Sequence, residues 1–261
     1  MKTRTLAGFL GLLLCAGSTA YAGGESLPSS GKEIKTTADV AEVAETFSWT
    51  GFYAGLHLGY GWHDGEIDSL LLPDDFFSIE PGTQSNDSDG ITGGAQLGYN
   101  YQIGCFVLGA EADFSGADIN GESHPDIVFV PAGVGGTQTF RHEIDWFGTV
   151  RGRIGCAPVP RLFVYGTGGF AYAHVDQTAG AINIAVNYQN SRSGTEVGFT
   201  GGGGAEYAIG RHWSIKAEYL YIDVGNSSVT APAENPQVPF VVDYDWDNAF
   251  HNFTVGVNYR F

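Results

Sequence analysis

The chain has 261 residues, with 29 acidic against 12 basic ones and a formal net charge of −17 at pH 7. A chain this acidic lacks the basic patches that nucleic-acid binding requires, so we expect no nucleic-acid partner. Aromatic residues make up 13% of the chain, 39 residues are glycine, and after the N-terminal segment no stretch approaches the ~18 apolar residues of a membrane-spanning helix. This composition argues against a helical membrane protein and is typical of a closed β-barrel, whose alternating strands dilute hydropathy.

The first 22 residues have the features of a secretory signal peptide. Two basic residues precede an apolar run over residues 6–16, and Ala20-Tyr21-Ala22 supplies a small-x-small cleavage site. Residues 23–48 are polar and show no strand alternation, which predicts a periplasmic lead-in. The remaining residues, 49–261, are predicted to form a transmembrane β-barrel.

Eight segments of the chain show the period-two alternation of β-strands. In the fourth of them, Ile144, Trp146, Val150 and Ile154 are predicted to face lipid, with Arg151 on the opposite face. The even count and the alternation predict an all-β fold, an eight-stranded antiparallel barrel whose apolar side chains point outward. The predicted strands cover residues 52–62, 91–103, 105–116, 143–155, 161–174, 195–209, 212–224 and 248–261.

The connections between these segments alternate in length. Three short ones, near residues 104, 156–160 and 210–211, contrast with four long ones that are rich in acidic residues. Short periplasmic turns and long extracellular loops are the usual asymmetry of such barrels, which predicts an outer-membrane protein with both termini in the periplasm. The predicted loops are residues 63–90, 117–142, 175–194 and 225–247.

The alternation also places charged side chains in the barrel interior. An eight-stranded barrel is just wide enough inside for side chains to fill it, so these groups are predicted to form a network of ion pairs and not a conduit. Four acids and four bases share the interior face: Glu111, Asp113, Glu206, Glu218, Arg151, Arg153, Lys216 and Arg260.

Two sets of outward residues are predicted to serve the membrane. Trp62, Trp146, Trp213 and Tyr219 would form aromatic girdles against outer-membrane lipid and lipopolysaccharide. The last strand ends on Val257, Tyr259 and Phe261, an alternating apolar pattern with a terminal aromatic residue. We predict that barrel-assembly machinery reads this pattern as its signal.

Two cysteines follow Ile-Gly at predicted turns of neighbouring strands. Because the periplasm is oxidising, a structural disulfide between Cys105 and Cys156 is predicted. The alternative is a pair of separate thiols whose Cα atoms lie beyond the ~7 Å bridging limit.

Three histidines, His63, His124 and His142, lie in predicted loops and could ligate haem iron, although random scatter is the favoured explanation of their positions. No histidine or carboxylate spacing matches a metal site, and no Gly-x-Ser-x-Gly nucleophile motif is present. We therefore expect no metal and no enzymatic activity. No cofactor is expected either, with haemin as the alternative.

The chain resembles the small OmpA-like β-barrel outer-membrane proteins of alphaproteobacteria, described as outer-membrane immunogenic or porin-family proteins. The resemblance covers the barrel and not the loops. It implies a surface-exposed structural protein that supports envelope integrity and contacts a host or the environment, and some members bind haemin. A small-solute porin and a haemin receptor remain alternatives, and a soluble lipocalin-like barrel would not place Trp and Tyr outward at both rims. The matching segments are WTGFYAGLHLGYGW (49–62), GGAQLGYNYQIGCFVLGAEADFSGA (93–117), VRGRIGCAPVPRLFVYGTGGFAYA (150–173), GGGAEYAIGRHWSIKAEYLYIDVG (202–225) and the final NYRF.

Overall fold

A computed structural model describes most of the predicted barrel, and the ranges are 47–72, 78–79, 83–124, 126–130, 134–183, 187–232 and 241–261. The predicted signal peptide and nearly all of the predicted lead-in lie outside the described residues. Within those ranges, no helix is both long enough and apolar enough to cross a membrane.

Ten β-strands form the described structure, and eight of them are long. Their bounds are β1 (Gly51–Leu72), β2 (Ser78–Ile79), β3 (Thr83–Ile103), β4 (Phe106–Ser123), β5 (Asp126–Val130), β6 (Val134–Val159), β7 (Leu162–Asn183), β8 (Asn187–Ala208), β9 (Trp213–Pro232) and β10 (Val241–Arg260).

The eight long strands form a closed antiparallel ring. Their order is β6-β4-β3-β1-β10-β9-β8-β7, and pairing between β7 and β6 closes the ring. The short strand β5 pairs with the first part of β6, and β2 pairs with β5. The predicted eight-stranded antiparallel barrel is therefore confirmed.

Period-two alternation sets the two faces of the wall. On β1, Phe52, Leu56 and Leu58 are 66%, 69% and 75% exposed on the outer face, whereas Tyr53 and His57 are buried inside. The same alternation holds along β4, β9 and β10. Outward apolar side chains and inward polar ones are the pattern that a lipid-facing barrel requires.

The two ends of the barrel differ. Short connections at Gly104–Cys105, Pro160–Arg161 and residues 209–212 lie at one end, which we call the turn end. Residues 47–50 and Phe261 lie at this same end, because Phe261 N donates to Phe52 O and Arg260 N donates to His212 O. We call the opposite end, where the other strand connections lie, the loop end.

The four long loops predicted from the sequence are wrong in extent, because much of each is strand. β1 runs on to Leu72, and β6 begins at Val134. Backbone pairing continues beyond the predicted strand ends in several of the ladders, for example between Asp64 and Asp87 of β1 and β3. Apolar alternation ends where the outward side chains leave the apolar band, but the ladders β1–β3, β6–β7 and β7–β8 continue beyond that point. The sequence pattern therefore located the apolar band and not the ends of the strands.

Ile144 was predicted to face lipid, and the structure places its side chain in the interior with only 1% exposed. The register between β6 and its neighbour β7 shifts between Ile144 and Trp146. Asp145 is the extra residue of this β-bulge, and an extra residue reverses the facing of everything beyond it. Trp146 keeps its outward position, and Ile144 turns inward.

The predicted disulfide is also wrong, since Cys105 and Cys156 are both thiols. Cys156 pairs with Phe106 across the strand interface, and Cys105 O accepts a hydrogen bond from Ala157 N. The two cysteines are therefore offset by one residue in register. Cys105 belongs to the turn between β3 and β4, so it does not lie directly opposite Cys156 in the ladder.

Adjacent glycines on β8 offer a test of how tightly the wall is packed. A Cβ on Gly202 would lie 2.0 Å from Tyr219 O of β9, whereas a Cβ on Gly201 would meet nothing within 4 Å. We expect Gly202→Ala to lower the free energy of unfolding by about 1 to 3 kcal/mol, since backbone would have to move. Gly201→Ala should leave stability unchanged or raise it by less than about 1 kcal/mol. Urea unfolding in detergent checks both, and equal effects would contradict the proposed close approach.

Candidate functional site: the barrel interior

Side chains fill the interior in successive layers from the turn end to the loop end. Along β1 and the residues before it, Trp49, Tyr53, His57, Gly61 and His63 contribute to these layers in turn. Nearest the turn end is an apolar cluster, the turn-end plug, formed by Trp49, Val107, Ala157, Phe163, Tyr165 and Ala208 with Phe47 packed against it. The charge layer follows, formed by Glu111, Asp113, Arg151, Arg153, Glu206, Lys216 and Glu218.

Arg151 joins three carboxylates of the charge layer. Its Nη2 atom donates to Glu111 Oε1 at 2.7 Å, to Asp113 Oδ2 at 2.9 Å and to Glu218 Oε2 at 3.0 Å. Its Nε atom donates to Thr149 Oγ1, and Thr149 in turn donates to Asp113. These contacts link β4, β6 and β9 across the interior.

Arg153 occupies a second position in this layer and extends the network towards the turn end. It pairs with Glu111 and with Glu206, each at 3.0 Å. Its guanidinium carbon lies 3.9 Å from the centre of the Tyr165 ring, a cation–π geometry. Arg153 therefore connects the charge layer to the turn-end plug.

Lys216 completes the charge layer. Its Nζ atom donates to Gln96 Oε1 at 2.6 Å, to Glu111 at 3.1 Å and to Glu218 at 3.3 Å. Two tyrosines add hydrogen bonds to the same carboxylates: Tyr53 donates to Glu111, and Tyr165 donates to Glu218. Buried charges are tolerated when they are paired and hydrogen-bonded in this way.

Arg260 was predicted to belong with these seven residues, but its side chain contacts the turn-end plug and the neighbouring Ser48. It donates to Ser48 O, and its guanidinium carbon lies 4.8 Å and 4.7 Å from the centres of the Phe47 and Trp49 rings. Eight charged residues were therefore predicted to face the interior, and the structure brings seven of them together in the charge layer.

Beyond the charge layer towards the loop end, the interior turns apolar. His57 and Thr92 lie between the two layers and bond Ser115 and Asn252, respectively. The apolar layer consists of Ile119, Ile144, Phe147, Ala171, Ala173, Val175, Leu220, Ile222, Val224 and Phe250. Sequence reasoning missed this layer, because several members lie in segments that it assigned to loops or to the outer face.

The three histidines considered as haem ligands occupy two different places. His63 and His142 are buried in the interior at the loop-end side of the apolar layer, with ring centres 5.0 Å apart. His142 also stacks on Trp246. His124 is exposed, and its Nε2 atom lies 3.3 Å from Glu122. The structure therefore groups His63 with His142 and leaves His124 elsewhere.

The outward aromatic residues lie at two levels. Trp62 and Tyr219 surround His251 near the loop-end limit of the apolar band, and Trp146 stacks on His174. Trp213 packs on Tyr259 near the turn end, and Tyr259 contacts Phe261. Val257 is exposed on the same outer face. The predicted girdle residues thus border the apolar band on both sides.

No metal site was predicted from the sequence, but the structure brings together three potential metal ligands that are not adjacent in the sequence. Asp145, His174 and Asp176 lie on the outer face of β6 and β7 with their potential ligand atoms within 4.8 Å of one another. The sequence contains no signal for this group, because Asp145 is distant from the other two residues along the chain. Its outward direction also depends on the β-bulge, which the sequence does not mark.

Known proteins resemble this chain along the whole barrel. A model of the outer membrane protein beta-barrel domain family matches residues 36–261. A 31 kDa outer-membrane immunogenic protein of Brucella melitensis is 37% identical over 232 residues, which cover 86% of this chain and 89% of that protein. A 22 kDa outer membrane protein of Rhizobium leguminosarum bv. viciae is 30% identical, covering 71% and 69%. The crystal structure of the outer membrane protein OprG from Pseudomonas aeruginosa aligns at 12% identity with a TM-score of 0.47, covering 83% and 98%.

Proposed function

We propose that this chain, which belongs to the outer membrane protein β-barrel domain family, is a closed, non-enzymatic structural barrel that supports the bacterial envelope and meets the surroundings with its loop end. The observation that carries the proposal is the filled interior. A plug of aromatic side chains, a paired charge layer and an apolar layer succeed one another along the barrel axis. An interior filled in this way suits a wall component better than a passage for solutes.

The proposed orientation places the turn end in the periplasm and the loop end outside the cell. Short turns on the periplasmic side are usual for this class of barrel. Residues 47–50 and Phe261, the first and last described residues of the chain, lie at the same end as these turns. At the loop end, several acidic residues are exposed, including Asp87, Asp118 and Asp245. An acidic rim favours basic or cation-bridged partners, such as a host surface ligand or lipopolysaccharide held through divalent cations.

Biogenesis would proceed through the secretory pathway and the barrel-assembly machinery. That residues 1–22 are the signal peptide and that the last strand is the assembly signal are both still predictions. The exposed alternate positions Val257, Tyr259 and Phe261 of the outer face support the second of these. The aromatic girdles would then hold the barrel at a fixed depth in outer-membrane lipid.

The test is electrical recording from the refolded barrel in planar lipid bilayers. We expect no stable, uniform conductance steps at protein amounts at which a known porin, prepared in the same detergent, gives them readily. Uniform steps from this protein would overturn the closed-barrel proposal and favour the small-solute porin.

Haemin titration of the same sample, followed by absorbance, tests the other alternative, a haemin receptor. A saturable Soret shift that is lost in a His63→Gln, His142→Gln double variant would replace the structural proposal with a haemin receptor. We expect no saturable shift, since both imidazoles are buried against the wall and each other.

A further inference from the structure

The outer face of the barrel carries one mixed group of metal-ligating side chains within the described ranges. His174 and Asp176 lie two residues apart on β7, so both side chains point outward. Asp145 of β6 reaches the same face because the β-bulge displaces it from the ladder between Ile144 and Trp146. The ligand atoms of the three residues lie within 4.8 Å of one another.

The His174 imidazole is held in place by ring stacking and forms no strong hydrogen bond within the described residues. The His174 ring stacks on Trp146 at a centroid distance of 5.4 Å and an interplanar angle of 2°. Its two nitrogen atoms lie 3.4 Å from the hydroxyl oxygens of Thr195 and Ser193, which is long for a hydrogen bond. Neither contact is short enough to oppose coordination of a metal ion by one of these nitrogen atoms.

The charges around the group favour a cation. The carboxylates of Asp145 and Asp176 lie close together on β6 and β7, and the His174 imidazole lies beside them. The neighbouring arginines are engaged elsewhere, since Arg141 pairs with Glu143 and Arg192 with Glu196. A divalent ion would relieve the repulsion between Asp145 and Asp176.

The ligand set points to a class of metal. Calcium and magnesium take oxygen ligands almost exclusively, whereas one imidazole with carboxylates suits zinc and its neighbours in the first transition row. Three protein ligands leave a fourth tetrahedral position open to water or another oxygen donor. We propose that Asp145, His174 and Asp176 form a binding site for a divalent transition-metal ion, with Zn²⁺ as its probe, on the outer face of the barrel at the loop-end side of the girdle residue Trp146.

The test is calorimetric titration of the refolded, tag-free protein with Zn²⁺ in nonionic detergent and a buffer without phosphate. We expect saturable binding of one ion per chain with a Kd in the range of about 1 to 100 μM. His174→Gln and Asp145→Asn should each weaken it roughly tenfold or more. His124→Gln is the matched control, because His124 is an exposed histidine beside a single carboxylate, and it should leave the Kd unchanged.

Two further readouts make the outcome decisive. Bound Zn²⁺ should raise the unfolding temperature of the wild type and of His124→Gln but not of His174→Gln. Heat-modifiable gel mobility shows whether each variant is folded, and the side chains replaced are not in the interior layers. The site would be disproved by wild-type binding weaker than about 1 mM or by undiminished binding in His174→Gln. Equal competition by Ca²⁺ would disprove the proposed metal class.

Discussion

Replacing Arg153 with methionine should lower the free energy of unfolding by about 3 to 5 kcal/mol, the largest effect expected for a single change in the charge layer. The guanidinium is buried, and its removal leaves Glu206 without the direct ion pair that it forms at 3.0 Å. Glu206 would then retain hydrogen bonds from Ser214 and Asn258 only, with its negative charge still in the interior. The measurement is urea unfolding in detergent, followed by tryptophan fluorescence and gel mobility.

Arg192→Met is the control for this prediction. Arg192 also pairs with a glutamate, but its side chain is 44% exposed, so the loss should stay below about 1 kcal/mol. Adding Glu206→Gln to Arg153→Met should restore part of the stability, because the second change removes the stranded charge. Equal losses in the two methionine variants would show that the interior pairs contribute no more than surface ones.

Trp49→Ala is expected to have an effect of similar size, about 3 to 5 kcal/mol. The indole is fully buried, packs on Phe163 at a ring distance of 5.4 Å and donates from Nε1 to Pro160 O. Its backbone nitrogen also donates to Gln102 Oε1. Truncation would leave a cavity in the turn-end plug and would remove the cation–π contact with Arg260.

The matched comparison is Trp213→Ala, on the outer face near the same end and 49% exposed. Its loss in detergent should be clearly smaller, since detergent covers the exposed face of the indole in the folded barrel and refills the space. Limited proteolysis gives a second measurement, because residues 47–50 of Trp49→Ala should become more accessible than those of Trp213→Ala. A loss in Trp49→Ala no larger than in Trp213→Ala would mean that the plug contributes little.

Much of the wall could be predicted because a barrel in lipid obeys one rule over most of its length. From Phe106 to Phe114, and from Trp213 to Tyr221, apolar side chains recur at every second position, and the structure points them outward. The same rule assigned the charged residues between them to the interior. Which of these charges pair with which depends on the stagger between strands, and single-strand periodicity contains no information about that stagger.

Other features depend on local irregularity or on distant contacts. Nothing in the order Glu143-Ile144-Asp145-Trp146 marks the bulge, so the inward turn of Ile144 and the outward turn of Asp145 could not be predicted. Trp49 reads as the opening of a strand motif, and its burial follows from partners on β3 and around the β6–β7 turn. The disulfide prediction was wrong because the one-residue offset between the two cysteines cannot be deduced until the register is known.

Ring closure has a consequence for the order in which the barrel can assemble. β1 and β10 pair directly, so Tyr53 meets Arg260 only after the last strand has arrived. Until then the sheet is an open ribbon with a charged face and an apolar face, and its carboxylates and guanidinium groups remain hydrated. Withdrawal of these charges from water is therefore coupled to the final seam. We therefore expect closure of the ring to be a cooperative step.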